Sequence, residues 1–393
     1  MSIRAILTIM TSLMKILHII TQGENGGAQK NVLDTVSALS HHGHDIFVMT
    51  GEQKNPHDQW LFEKLKKQGF TNNKLSVCRY LARDIHILRD IRALINLYRY
   101  IKKNKFDIVH LHSTKAGVLG AIAGKLAGSR IVYTVHGFVF QEPMSVVKKL
   151  LYITIELCSS FFIDTYICVS EKDLEIGKKY TIIRKNRGVV IYNGIQEDSL
   201  LYTKEEARDK IMKLAHVNFT PQKIIGAVAN LYATKGIIYL IGAAELVVRE
   251  NPHYLFVVFG EGHLRHELQK EITERGLDNN FMLVGFVDNA SALLSGLDTL
   301  VLPSVKEGLP YILIEASRAR IPIIATRVGG VVEMSTCIPM NLVDPKDTKV
   351  LASKIKDVTQ GNAILSSTFN QRFSMNTMIE SILSQYKILN QNK

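Results

Sequence analysis

Short, continuous apolar runs alternate with amphipathic stretches along most of this chain. The first run, Lys15 to Ile20, is followed by a glycine-rich turn, an amphipathic stretch from about Ala28 to His41, and a second run from Asp45 to Thr50. Apolar runs of this length are typical of parallel strands that are buried on both faces. The order therefore predicts a strand–helix–strand unit at the start of the chain.

Two series of this kind, separated by a polar stretch, predict two domains. Polar residues dominate from Gln196 to Arg208, and a second series begins with the apolar run Lys223 to Ala229. We therefore predict an α/β fold of two doubly wound, Rossmann-like domains, residues 1–195 and 196–372. Ligands of such sheets bind at the carboxyl ends of the strands, so the site is expected in the cleft between the domains.

Composition and charge narrow the range of partners. The 393 residues are 46% hydrophobic and 21% charged, which is ordinary for a globular enzyme. The net charge of +12 favours anionic partners such as nucleotide phosphates or an anionic membrane surface. No Lys/Arg block with interleaved aromatic residues is present, so we do not expect nucleic acid as a partner. The four cysteines are far apart and form no CxxC pair, which favours a reducing cytosol.

No stretch of the sequence predicts a membrane span, which needs roughly 18–20 uncharged apolar residues. The longest candidate, Leu150 to Ile163, contains Glu156. The predicted helix Val146 to Ile163 has a large apolar face, which either packs in the core or meets lipid. The opening segment, Met1 to Met14, has no small-residue cleavage pattern, so we do not expect a signal peptide, and Met14 is a second candidate start.

One strand–loop–helix corner carries two glutamates beside a helix start. The loop after the run Leu297 to Leu302 contains Glu307, and Pro310 opens a helical segment that contains Glu315. Proline is favoured at the first helical position, and the free N–H groups of a first turn bind anions. Carboxylates beside an anion site suggest a ligand with phosphate and hydroxyl groups. The alternative is a corner whose glutamates are solvated.

Two loops of the first series are candidates for the same cleft. Gly26-Gly27 follows the first strand and would let a phosphate approach the backbone closely, although the pattern is not the GxGxxG dinucleotide fingerprint. His136 ends the run that begins at Arg130, where open α/β sheets bind ligands. A structural role, as a turn before a helix or as a packed histidine, stays open for each.

In combination, these motifs resemble the retaining glycosyltransferases of family 4. They occur in the order that this family shows, and the resemblance extends from Lys15 to about Tyr386. In chain order the motifs are Gly26-Gly27-Ala28-Gln29, Val135-His136-Gly137-Phe138, Val169-Ser170-Glu171, Tyr192-Asn193-Gly194-Ile195, Lys235-Gly236, Gly260-Glu261-Gly262, and Glu307 with Glu315. The resemblance implies a GT-B fold, in which the last helix, about 373–393, packs back on the first domain. It points to bacterial enzymes that build capsule, O-antigen or exopolysaccharide on a lipid carrier.

The resemblance also implies roles for individual residues. The donor is expected to be a UDP-sugar, with Glu315 accepting hydrogen bonds from the ribose hydroxyls and Glu307 orienting the sugar. Lys235 would neutralise the charge that develops on the departing diphosphate. The other implied residues are Gly26, Gly27, Gly308 and Leu309 around the diphosphate, His136 at the donor sugar, and Thr114 and Lys115 on the acceptor side.

Retention of the anomeric configuration requires a carboxylate nucleophile or attack on the face of the leaving group. Because both glutamates have other implied roles, we expect same-face attack, in which the phosphate of the donor helps to deprotonate the acceptor. No DxD-type cluster stands at a strand end, so neither a metal nor another cofactor is expected. The sequence departs from the family at Asn230, where members usually carry arginine; Lys235 would then act alone, or Arg265 would contribute.

The expected partners are a nucleotide-sugar, a lipid-linked saccharide acceptor and the anionic cytoplasmic membrane, on whose inner face the protein would be peripheral. Two alternatives stay open. One is a non-hydrolysing sugar-nucleotide epimerase on the same fold. The other is a nucleotide-sugar-binding protein that has lost catalysis, a reading motivated by Asn230.

Overall fold

The first half of the chain forms one parallel sheet covered by helices. The computed structural model describes residues 13–52, 59–196, 201–358 and 369–391. Most of the opening segment Met1 to Met14, and part of the polar stretch Gln196 to Arg208, therefore lie outside the described residues. The strands are β1 (Lys15–Ile20), β2 (Asp45–Thr50), β3 (Leu75–Val77), β4 (Ile108–Leu111), β5 (Arg130–Val135), β6 (Thr165–Cys168) and β7 (Gly188–Val190). The helices are α1 (Gly27–His41), α2 (Trp60–Lys67), α3 (Ile87–Asn104), α4 (Thr114–Ala127), α5 (Val146–Ser159) and α6 (Glu171–Lys179).

The second half repeats this architecture with a second parallel sheet. Its strands are β8 (Lys223–Val228), β9 (Tyr254–Phe259), β10 (Phe281–Gly285), β11 (Thr299–Leu302), β12 (Ile323–Thr326) and β13 (Asn341–Val343). The remaining helices are α7 (Lys204–Ala215), α8 (Ile237–Glu250), α9 (Arg265–Glu274), α10 (Tyr311–Arg318), α11 (Val331–Met334), α12 (Thr348–Asp357), α13 (Phe369–Phe373) and α14 (Met375–Gln391).

Both sheets have the strand order of a doubly wound fold. The orders are β3-β2-β1-β4-β5-β6-β7 and β10-β9-β8-β11-β12-β13. In each, the winding reverses between the first and fourth strands of its half. The sequence prediction of an α/β fold with two doubly wound sheets is confirmed. Ligands of doubly wound sheets bind at such a reversal, so the site is expected at the carboxyl ends of β1 and β4 and of β8 and β11.

Helix α4 lies close to its sheet because small residues form the face that it buries. A Cβ atom on Gly120 would come within 2.5 Å of Leu111, and one on Gly124 within 2.6 Å of Ile131. The two glycines are one turn apart and therefore share a face of the helix. This close packing brings the start of α4, with Thr114 and Lys115, to the edge where the site is expected.

The predicted break between the two series is partly helical. Helix α7 begins at Lys204, inside the stretch in which polar residues dominate the sequence. Thr203 and Glu206 form a capping box, in which the Thr203 side chain accepts from the Glu206 N–H and the Glu206 carboxylate accepts from the Thr203 N–H. The polar residues are the solvent face of this helix, while Ala207 and Ile211 are buried.

The last helix returns from the second sheet to the first. Met378, Ile379, Ile382 and Leu383 of α14 are buried in a cluster with side chains of β1 and α1. The chain enters this helix through backbone bonds between Ile195 and the segment around Phe373 and Met375. The end of the chain therefore completes the core of the first half.

Candidate functional site

Loops from the carboxyl ends of the two sheets meet across a cleft. The Asn230 side chain, after β8, donates to the carbonyl of Asn25 at 3.0 Å. The Tyr232 hydroxyl donates to the Glu24 carboxylate at 2.9 Å. Both acceptors belong to the glycine-rich loop after β1. The cleft therefore lies at the strand-order reversals of both sheets, as the sequence predicted for the ligand site.

Lys235 and Glu307 form an ion pair on the second-half side of this cleft. The Lys235 ammonium lies 2.7 Å from Glu307 Oε1, to which the Ser304 hydroxyl also donates at 2.6 Å. Gly236 makes the arrangement possible, since it has φ of +65° and a Cβ there would lie 2.1 Å from the Pro303 carbonyl oxygen. The turn after Lys235 therefore packs directly on the loop after β11. The lysine neutralises Glu307 and remains partly exposed to the cleft.

The loops that carry His136 and Glu307 are in direct contact. A Cβ atom on Gly308 would lie 2.7 Å from the His136 carbonyl oxygen, so only glycine fits this crossing. Leu309 is buried, and its carbonyl accepts from the Asn193 side chain at 2.7 Å. Helix α10 begins at Tyr311, with Pro310 in the capping position, one residue later than predicted. The structure thus brings His136, Glu307, Gly308 and the start of α10 together.

Glu315 faces helix α1 across the cleft. Burial raises the pKa of Glu315, the Lys30 ammonium counteracts this shift, and the Asp34 carboxylate adds to it. Lys30 is itself paired with Asp34 at 3.2 Å. The start of α1 is close to the same place, since a Cβ on Gly27 would be 3.9 Å from the Tyr311 ring. An acceptor-only carboxylate beside a glycine-rich helix start matches a ligand with hydroxyl and phosphate groups.

Two residues considered for phosphate binding, Asn230 and Arg265, have other partners. The amide at Asn230 supplies no charge and instead bridges the two halves through Asn25. Arg265 pairs with Glu261 at 2.8 Å and donates to the Leu283 carbonyl at 2.8 Å. Of the residues that the sequence singled out for neutralising a phosphate, Lys235 is the cation that the structure places beside Glu307.

A cavity of about 630 Å³ opens into the first half beside His136. Thr114 and Lys115 line it, together with Lys148, Tyr152 and the apolar side chains Val118, Leu119 and Ile155. Lys115 is held in place by Asp90 at 2.5 Å. The mixed lining of cations, hydroxyls and apolar groups is typical of a small-molecule site.

Several polar contacts across the cleft were not predicted. Lys306 pairs with Glu142 at 3.1 Å, and the Glu333 carboxylate accepts from the Glu171 N–H, the first of helix α6, at 2.9 Å. Burial raises the pKa of Glu333 to about 7. Glycines 329 and 330, just before Glu333, were the available sequence signal, because they mark a loop at the carboxyl end of β12.

Among the described residues, one group of three or more potential metal ligands has its ligand atoms close together. His18, His110 and His112 are buried, and these atoms lie within 4.8 Å of one another. The group lies in the first half, on β1 and β4 and just after β4. Within the same described ranges, no helix has the length and apolar character needed to cross a bilayer.

Comparison with known proteins agrees with this geometry. A family model described as Glycosyltransferase Family 4 matches residues 25–199, and one described as Glycosyl transferases group 1 matches residues 209–376. The UDP-Gal:alpha-D-GlcNAc-diphosphoundecaprenol alpha-1,3-galactosyltransferase of Escherichia coli is 32% identical over 270 residues, which are 67% of this chain and 68% of the relative.

Two further similarities cover more of the chain. The capsular polysaccharide biosynthesis glycosyltransferase CapM of Staphylococcus aureus is 23% identical over 80% of this chain and 85% of its own length. The crystal structure of HepE from Anabaena, with UDP and glucose, superposes with a TM-score of 0.76 at 20% identity and covers 95% of this chain and 99% of that one. The likeness extends over both sheets and supports the GT-B arrangement.

Proposed function

Because this chain belongs to glycosyltransferase family 4, we propose that it transfers a hexose from a UDP-sugar to a lipid-linked saccharide, with retention of anomeric configuration. Its activity as a glycosyltransferase of bacterial surface-polysaccharide biosynthesis follows from the family and its relatives. The proposed donor, acceptor and stereochemistry rest on the Lys235–Glu307 pair. The loop that carries Glu307 contacts the His136 loop in the cleft. The name of the E. coli relative supplies the donor and acceptor classes.

Each donor group has a matching group in the cleft. Glu315 accepts hydrogen bonds from the ribose hydroxyls, and the helix start at Gly26-Gly27 receives the diphosphate. Glu307 orients the sugar, and His136 approaches it from the first half. Lys235 stabilises the negative charge that grows on the diphosphate as the sugar leaves, which lowers the barrier because this charge is largest in the transition state.

The surroundings of the two glutamates support same-face attack. Glu307 is engaged by Lys235 and Ser304, and Glu315 faces Lys30, so neither is placed as a free nucleophile. In this reaction the acceptor oxygen bonds to the anomeric carbon while the bond from that carbon to the diphosphate breaks. The acceptor proton passes to an oxygen of the departing UDP. We propose that the reaction needs no metal.

The cavity beside His136 is the proposed acceptor site. Residues of helices α3 and α5 line it, and both helices pack against α4. Helix α5 exposes Val146, Val147 and Leu150, and α3 exposes Ile87 and Leu88. A lipid-linked acceptor could reach the cavity from a membrane that these faces touch. We therefore propose peripheral binding to an anionic membrane surface.

Turnover measurements test the proposed function. The full chain is first screened by thermal shift against UDP-, GDP- and ADP-sugars. UDP release from UDP-galactose is then followed with a GlcNAc-diphosphoryl lipid, with and without EDTA. We expect a UDP-sugar to stabilise the protein and turnover to survive EDTA. Lys235→Ala and Glu315→Ala should each lose most of the activity while remaining folded.

The matched control is Lys356→Ala, which removes a lysine from another lysine–glutamate pair of the second half, 2.8 Å from Glu250. It should leave turnover unchanged. Full activity in both site variants would refute the assigned roles. An epimer formed without acceptor would support the epimerase alternative, and UDP binding without product from any acceptor would support the loss of catalysis.

A further inference from the structure

Three histidines form a hydrogen-bonded chain that runs from the cleft into the core of the first half. His136, at the end of β5, lines the cavity. Its Nε2 lies 3.4 Å from Nδ1 of His112, and Nε2 of His112 lies 3.0 Å from Nδ1 of His18. His18 stands in the middle of β1 and His112 just after β4, and both are fully buried.

All three rings are neutral at physiological pH. Burial lowers the pKa of His18 to about 3 and that of His136 to about 4, and it lowers the pKa of His112 well below its usual value, with His110, His18 and His136 adding to that shift. A neutral imidazole has one N–H donor and one bare acceptor nitrogen. In a chain of three such rings joined by two hydrogen bonds, the tautomer of one ring determines the tautomers of the other two.

The N–H groups of the three rings can donate either inward, toward His18, or outward, toward His136. The environment of His18, the innermost ring, distinguishes these two directions. Nε2 of His18 is buried and has no hydrogen-bond partner among the described residues. If the bonds ran inward, His136 would donate to His112 and His112 would donate to Nδ1 of His18. Nε2 of His18 would then carry a buried, unpaired N–H. If they run outward, His18 Nδ1–H donates to Nε2 of His112, and His112 Nδ1–H donates to Nε2 of His136. Nε2 of His18 is then only a bare acceptor. Orphaned buried donors are rarer than under-satisfied acceptors, so the outward direction is favoured.

We propose that His18 and His112 are positioning residues that hold His136 as the Nδ1–H tautomer, so that it donates a hydrogen bond to an oxygen of the donor sugar. With Nε2 of His136 engaged by His112, Nδ1 is the ring nitrogen left for a ligand. The assignment of the recipient oxygen rests on the proposed function. The tautomer itself does not.

A shared metal site is the competing explanation for the buried histidines, and the contacts of His110 oppose it. Nδ1 of His110 lies 2.5 Å from the Tyr386 hydroxyl, and Nε2 lies 2.6 Å from the Thr134 hydroxyl. Both nitrogens are therefore engaged, and a metal could bind His110 only by breaking one of these bonds. The His110 ring lies against that of His112, with centroids 4.2 Å apart and the planes tilted by 33°, but His110 is not a member of the hydrogen-bonded chain, which makes it a matched control.

Nitrogen NMR of the ligand-free, full-length protein tests the tautomer directly. Long-range proton–nitrogen correlations of ¹⁵N-labelled histidine rings distinguish a protonated from a bare nitrogen at each position. We expect His136 to carry its proton on Nδ1. In His18→Leu, which removes the inner donor, both tautomers of His136 should appear. His18→Asn, whose amide can donate from the Nδ1 position, should restore the single form, and His110→Asn should leave it unchanged.

Kinetics then connect the tautomer to the reaction. His18→Leu should lower kcat/KM for UDP-galactose about two- to tenfold, the effect of one lost hydrogen bond, and His18→Asn should recover most of it. If UDP-galactose is not turned over at all, the proposed function fails while the NMR result still decides the tautomer. Because His18→Leu could prevent folding, the wild-type spectrum is decisive by itself.

Three outcomes would overturn the proposal. The first is a wild-type His136 protonated on Nε2. The second is a folded His18→Leu protein whose His136 signals are unchanged. The third is a stoichiometric metal in the purified protein that His18→Leu removes, since the cluster would then be a metal site.

Discussion

At the scale of single residues, Glu156 is the clearest case of a carboxyl group held against its ordinary chemistry. It lies buried on α5, where Oε1 is 3.5 Å from the Tyr133 hydroxyl and Oε2 has no partner among the described residues. Burial raises the pKa of Glu156 from 4.5 to about 7, and hydrogen bonds from Thr114 and Tyr133 lower it only in part. Below about pH 7 the native state therefore favours the protonated acid, whereas the same group in the unfolded chain ionises above about pH 4.5.

The substitution Glu156→Gln should therefore stabilise the protein most at high pH. At pH 8 the wild type contains a buried, ionised carboxylate, which costs about 3 kcal/mol. As the pH falls through 7 toward 5, the native carboxyl takes up a proton and the cost disappears. We expect the free energy of unfolding of the variant to exceed that of the wild type at pH 8 and the difference to shrink toward pH 5.

Denaturant titrations at the two pH values measure this difference. Glu175→Gln, at an exposed position on α6, is the control and should change stability little at either pH. A Glu156→Gln advantage that was equal at pH 5 and pH 8 would contradict the raised pKa.

Three of the residues that sequence reasoning identified share one property. Lys235, Glu307 and His136 lie in loops that follow predicted strands, and a parallel sheet places all such loops at one edge. His18 and Asp34 lie inside a strand and a helix, and their roles depend on strand order and on the approach of the second half. Neither is visible in local spacing, because a buried histidine in an apolar run looks like part of the core.

At the scale of secondary-structure elements, helices α3 and α5 present apolar side chains to solvent. Val146 and Val147 of α5 are 72% and 78% exposed, and Ile87 of α3 is 75% exposed. Cations accompany them, among them Lys148 and Lys149 on α5. The sequence left two interpretations of the 146–163 helix, core or lipid-facing. Within α5 only Glu156 and Ser159 are buried, while Tyr152 and Ile153 pack partly against the core. The apolar residues at the start of the helix therefore do not pack in the core.

Replacing Val147 and Leu150 by aspartate should weaken membrane binding. Each substitution removes apolar area that lipid would bury, worth about 1.5–3 kcal/mol per side chain, and adds repulsion from anionic lipid. We expect the double variant to bind vesicles of phosphatidylglycerol and phosphatidylethanolamine at least about tenfold more weakly at low salt. Co-sedimentation with the vesicles measures this.

Val350→Asp is the matched control, since Val350 is a half-exposed apolar residue of α12 in the second half. It should leave vesicle binding unchanged. Failure of the wild type to bind at low salt would rule out the membrane proposal while leaving the catalytic one intact.

Element boundaries show why the sequence interpretation was incomplete at α7. Buried strands such as β9, in which every residue is buried, have a hydrophobic signal that cannot be mistaken. Helix α7 buries only Ala207, Ile211 and Ala215, so polar residues outnumber apolar ones. Its start is set by the Thr203 capping box. This signal consists of polar residues, so hydrophobic periodicity does not detect it.

At the scale of the whole molecule, the two halves depend on each other in two ways. Polar contacts cross the cleft at Asn25–Asn230, Glu24–Tyr232 and Glu142–Lys306. Partly exposed contacts of this kind contribute little each, about 0–1 kcal/mol for an ion pair. Helix α14 is different, because it buries a row of large apolar side chains against β1 and α1. The connection through the core is therefore the stronger one.

This difference predicts a contrast between two isoleucines of the same helix. Ile382 is 3% exposed in the core of the first half, whereas Ile388 is 49% exposed. Ile382→Ala should lower the free energy of unfolding by about 2–5 kcal/mol through lost burial and the cavity that remains. Ile388→Ala should cost well under half as much. Denaturant unfolding of the full chain measures both changes. Equal effects would mean that α14 does not form part of the first-half core, and the His110–Tyr386 contact next to the histidine chain would then lose its support as well.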